Sequence, residues 1–165
     1  MNPRLPARET LRVTTPDACT IVVERSFDAP RSKVWDAWTK PELLRRWLFG
    51  PDGWLLDVCD VDLRPGGAFR WVWKREHDGT SMGLSGVYRE VQAPARLVNT
   101  EVFDERWYPG DALITLELGE SGGRTLTRST WRYDSTEARD IVLKTAITGV
   151  ELSYDRLAEI LTNGE

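Results

Sequence analysis

The chain has 165 residues, 41% hydrophobic and 29% charged, with a net charge of −4, long enough to bury one domain's core without disulfides or metal. The acidic balance offers no basic face for phosphate and argues against a nucleic-acid partner. Two distant cysteines, Cys19 and Cys59, and one histidine, His77, supply no clustered ligand set, so neither a metal nor a cofactor is expected.

Residues 1–17 hold Pro3, Pro6 and Pro16 and few large apolar groups. They read as a flexible leader before a single domain over 18–165. Met1 to Thr20 contains no apolar signal-peptide core, and no run is long enough for a membrane span, so a cytoplasmic location is expected. The β-branched run in Cys19–Phe27 marks a first strand. Pro30 suits the first turn of a helix carrying Val34, Ala37 and Trp38, and Pro41 starts a second through Trp47. Phe49 to Gly53 stops it. Trp54, Leu56 and Val58 then alternate with Leu55, Asp57 and Cys59, and Pro65-Gly66-Gly67 turns the chain. Phe69, Trp71 and Trp73 alternate with Arg70, Val72 and Lys74, a period of two with aromatics on one face. Beyond the turn at His77-Asp78-Gly79, strands are expected at Met82–Val91, Leu97–Phe103, Ala112–Leu118 and Arg124–Tyr133.

One long helix from Thr136 to Thr162 is expected to close the fold, with Asp134 and Glu137 as a capping box. Val142, Ala146, Gly149, Val150, Ser153, Leu157, Ile160 and Leu161 form its apolar or small stripe. Consecutive strands imply an antiparallel sheet, giving an α+β order β-αα-ββββββ-α.

Small residues on that helix, facing a tryptophan-rich sheet, leave space for a ligand. Alternating large and small residues in a filled core gives the same pattern. On the last strand Thr127, Ser129 and Trp131 share one face and Leu126, Arg128 and Thr130 the other. Arg128 prefers water, which turns two hydroxyls inward, whereas the reversed register would bury Leu126 instead. The expected ligand walls are Trp71, Trp73, Phe103 and Trp131, with Trp54 and Trp107 nearer the rim. Thr127, Ser129 and Thr145 would orient a polar end, and Gly149 would leave room for it. Glu101, on the face of Phe103, and Glu151 and Asp155 on the helix are the carboxylates available for proton transfer. No catalytic set is assigned. Gly66-Gly67 and Gly122-Gly123 precede strands, which disfavours a phosphate cradle. His77, at a hairpin tip, is poorly placed for a buried nucleophile pair.

The stretch Val34-Trp35-Asp36-Ala37-Trp38-Thr39-Lys40-Pro41-Glu42-Leu43-Leu44, ending at Trp47, resembles the helix pair of AHSA-type domains (activator-of-heat-shock-protein-ATPase homologues) of the START-like, or SRPBCC, superfamily. Asp62 to Phe69, Gly86 to Val91 with Pro94 and Arg96 to Val98, and Gly149 to Leu157 resemble its later motifs. The resemblance implies the helix-grip fold, a curved antiparallel sheet wrapped on a long C-terminal helix around a cavity. It does not imply one function. Three readings stay open: binding of a small hydrophobic or aromatic molecule in that cavity, a cyclase- or hydrolase-like enzyme using the same cavity with Glu101 or a bound water for proton transfer, or a co-chaperone-like interaction module. A protein partner is possible but not indicated.

Overall fold

The residue before a proline is driven out of the helical region, and Lys40 obeys, with φ −94° and ψ 122°. It divides α1 (Arg31–Thr39) from α2 (Pro41–Trp47), which Pro41 opens. Pro30 caps α1 from extended backbone rather than forming its first turn. Val34, Trp35, Ala37, Leu44 and Trp47 are buried by this pair, while Arg45 and Arg46 face solvent.

The computed structural model describes residues 11–163. Its strands are β1 (Arg12–Thr14), β2 (Thr20–Phe27), β3 (Trp54–Val61), β4 (Ala68–Arg75), β5 (Ser81–Gln92), β6 (Arg96–Phe103), β7 (Ala112–Ser121) and β8 (Arg124–Tyr133). They form one curved antiparallel sheet in the order β1-β2-β8-β7-β6-β5-β4-β3. Residues directly opposite in an antiparallel ladder point to the same side. The register therefore assembles rows on the concave face. Ser129 lies between Val23 and Leu116, and Leu116 opposite Leu97; Trp131 lies between Ile21 and Ile114, and Ile114 opposite Asn99. Ala112 separates Glu101 from Tyr133.

Four features depart from the sequence reading. Residues 12–14, placed in the leader, pair with Val22–Glu24 as β1; the leader's residues 1–10 lie outside the described residues. The β3 ladder shifts register between Leu56 and Val58, so Leu56 and Cys59 are both buried, although simple alternation set them on opposite faces. The closing helix is two segments, α3 (Thr136–Thr145) and α4 (Ile147–Thr162). At the break, Ala146 has φ −98° and ψ −22°. Thr145 donates its hydroxyl to the Ile141 carbonyl at 2.7 Å, an i−4 back-bond that bends helices, and Thr148 and Gly149 are weak helix formers. Finally, Ser135 caps α3, accepting from the Ala138 N–H at 3.1 Å. Asp134 instead accepts from the Asp111 N–H and ties the β7 entry loop to the helix start.

Helix α4 buries Ser153, Tyr154, Leu157 and Leu161. Arg156 fastens it to the loop after α2, donating to the Gly50 carbonyl and lying 3.6 Å from the Phe49 ring centroid. Tyr154 was not part of the expected stripe. Its ring packs within 5.5–6.2 Å of Phe27, Trp38 and Trp47, centroid to centroid.

Candidate functional site

Period-two geometry sends Leu97, Asn99, Glu101 and Phe103 of β6 to the concave face. There the described residues enclose a cavity of about 50 Å³. Its apolar walls are Phe69, Trp71, Leu97, Ile114 and Leu116 from the sheet and Trp38 from α1. Four polar residues join them: Tyr88, Asn99, Glu101 and Ser129. Phe69 reaches this position because Gly86, opposite it on β5, has no side chain; a Cβ there would strike Phe69 and the Thr100 carbonyl.

Glu101 is the chemically distinctive group. Burial pushes its pKa up to about 7, and no neighbouring charge offsets that effect. No hydrogen-bond donor or cation among the described residues pairs with it, and the partial exposure it keeps accompanies its place in the cavity wall. Its charge is felt by Tyr108, Tyr133 and Tyr154, whose hydroxyls are held well above the ordinary tyrosine pKa, chiefly by burial. Ser129 is already engaged. Its oxygen accepts the Trp131 indole N–H at 2.8 Å. Asn99 uses its amide N–H on the Thr100 carbonyl at 3.1 Å, which leaves its side-chain oxygen as the free-standing acceptor.

Of the residues expected to line a site, the structure brings Trp71 and Ser129 to the cavity. Trp73 is buried beside it, its indole N–H donated to the Leu48 carbonyl at 2.8 Å. Trp131 sits one step from the wall, bonded to Ser129. Thr127 is buried on the inner face as expected, yet its hydroxyl serves the Arg25 carbonyl at 2.9 Å and is not free for a ligand. Phe103 and Trp107 form a separate aromatic cluster with Tyr108. Trp54 lies under the Arg75 guanidinium at 5.4 Å. Thr145 is bonded within its own helix. Gly149 is half-buried with open space above it, but it does not line the cavity. Among the walls, Trp38, Phe69, Tyr88, Leu97, Asn99, Ile114 and Leu116 were not anticipated. For Asn99 the signal was available, since it lies in phase with Glu101 and Phe103.

Elsewhere, His77 is exposed at its hairpin tip. No group of His, Cys, Asp and Glu among the described residues is arranged to hold a metal, and none of the described helices is long and apolar enough to cross a membrane.

Residues 28–162 match the family described as activator of Hsp90 ATPase homolog 1-like protein. The chain belongs to this AHSA1-like family. An AHSA1-like architecture also recurs in solved structures. A protein of Rhodobacter sphaeroides is 32% identical with a TM-score of 0.87, over 93% of this chain and 99% of that one. One of Nitrosomonas europaea is 26% identical with a TM-score of 0.79, over 92% and 100%. An AHSA1-like protein of Aeromonas hydrophila, at 19% identity and a TM-score of 0.71 over 86% and 93%, shares the fold. No curated protein matches the chain.

Proposed function

We propose that this AHSA1-like protein binds a small, largely apolar molecule in the cavity of the concave face, with Glu101 taking its polar end. The observation that carries this reading is a carboxyl group opening onto an aromatic-walled cavity with no partner among the described residues. Buried polar groups are normally satisfied, and an unsatisfied one is a place where a ligand gains most. Apolar burial would add about 25 cal/mol per Å² removed from water. The cavity, at about 50 Å³, is smaller than the roughly 150 Å³ that holds a benzene ring. The ligand is therefore a few heavy atoms in size, or Trp38 and Trp71 move aside for a ring. A cytoplasmic setting remains part of this proposal.

Trp38 and Trp71 make binding visible. A hydrophobic probe titrated into the protein should change tryptophan emission, and Glu101→Leu should alter its affinity; an interior unresponsive to every probe contradicts the reading.

A second reading has one observation in its favour. A carboxyl with a pKa near 7 can both take and return a proton at neutral pH, as the cyclase- or hydrolase-like alternative requires. The interaction-module reading loses its expected surface, because Tyr108 is buried and Trp107 half-buried. The exposed large apolar residues Met82, Val87, Leu126 and Leu152 come from three different elements.

A further inference from the structure

We infer that the ligand is a small primary alkylammonium ion, received by Glu101 and the aromatic rings around it. This rests on the cavity being the binding site and adds the chemical class of what enters it.

Charge is the first argument. The concave face carries two other ionised groups near Tyr154, Arg25 on β2 and Asp155 on α4, and these pair with each other at 2.7 Å. Tyr88, Tyr108, Tyr133 and Tyr154, the remaining titratable groups around the cavity, are kept neutral by burial. Glu101 is thus the single uncompensated charge among the described residues of this face, and a buried charge is stabilised most by an opposite one. An anion would meet repulsion there.

The walls give the second argument. Aromatic faces attract cations through their quadrupole, and Trp38, Phe69, Trp71 and Tyr88 all border this space. Donor count gives the third. A primary ammonium group has three N–H donors and no acceptor. Among the described residues the cavity offers two acceptors, the Glu101 carboxylate and the Asn99 side-chain oxygen, beside one donor without an acceptor, the Trp71 indole N–H. The volume of about 50 Å³ takes an ammonium head with one or two carbons, and a longer alkyl tail needs Trp38 and Trp71 to move aside as a ring would.

The experiment follows the tryptophan indole N–H signals of the full chain by NMR during titration with butylammonium, 1-butanol and butanoate at about pH 8.5, where an alkylamine is still cationic. Butylammonium should bind at least roughly tenfold more tightly than butanol, and butanoate should not bind. Glu101→Gln should remove that preference while leaving butanol binding in place, and Glu101→Asp should keep it. Lowering the pH to about 5.5 should also abolish the preference by protonating Glu101. If butanol and a hydrophobic probe bind and butylammonium binds no better, or if Glu101→Gln keeps the preference, the ammonium assignment falls and the small-molecule reading stands. If no probe binds at all, both fall.

Discussion

Arg25 on β2 and Asp155 on α4 meet at 2.7 Å beneath the closing helix, with side chains only 5% and 22% exposed. This pair joins the sheet to the closing helix and engages the Arg25 guanidinium with a carboxylate other than Glu101. Neither member of the pair lines the cavity, whose polar lining is Tyr88, Asn99, Glu101 and Ser129.

Removing one partner of a buried pair leaves the other charge stranded, which is more damaging than losing the pair as a whole. Asp155→Ala should therefore cost about 3 kcal/mol in urea unfolding. A loss within experimental error would show that Arg25 finds water or another acceptor.

Glu101 makes stability depend on pH with a definite sign. Its folded pKa of about 7 exceeds the unfolded value of about 4.3, so the native state holds its proton longer. The associated stability is complete below about pH 4.3 and is lost as the pH rises through 7. Compared with Glu101→Gln, the wild type should match it at acidic pH and fall behind by about 4 kcal/mol above neutrality. Paired denaturation curves across this range check it; a constant difference contradicts it.

Gly149 has no heavy atom within 4 Å of where a Cβ would project, and its helical backbone has a negative φ. Gly149→Ala should raise stability by up to about 1 kcal/mol through helix propensity alone, without changing probe binding. A drop in binding would place the cavity closer to α4 than the wall residues indicate.

Burial pushes the Cys59 thiol up to about 11. The thiolate is the reactive form, so Cys59 should resist alkylation in the folded protein at neutral pH and react only on unfolding. Modification mapped by mass spectrometry under native conditions is the check, and early labelling at Cys59 would contradict the burial.

Much of the architecture was legible where one physical rule dominates. The alternation of Phe69, Trp71 and Trp73 marked the inner face of β4, and the aversion of Arg128 for the interior oriented β8 correctly, leaving Leu126 exposed. The Pro41 break between α1 and α2 needed only the steric rule for the residue preceding proline. What stayed hidden depends on partners remote in sequence. Strand β1 exists because β2 offers it an edge. The fate of the Thr127 hydroxyl depends on the Arg25 carbonyl 102 positions away. Tyr154 packs against Trp38 and Trp47, a meeting of α4 with α1 and α2 that no local period announces. Glu101 was a candidate by its strand face, but its lack of a partner is a property of the assembled fold.

The most direct measurement is the titration of the Glu101 side-chain carboxyl by carbon-13 NMR in the folded protein. The account requires a midpoint near 7. A midpoint close to the ordinary glutamate value of about 4.3 would show the group hydrated or already paired, and the cavity would lose the feature that makes it a receptor.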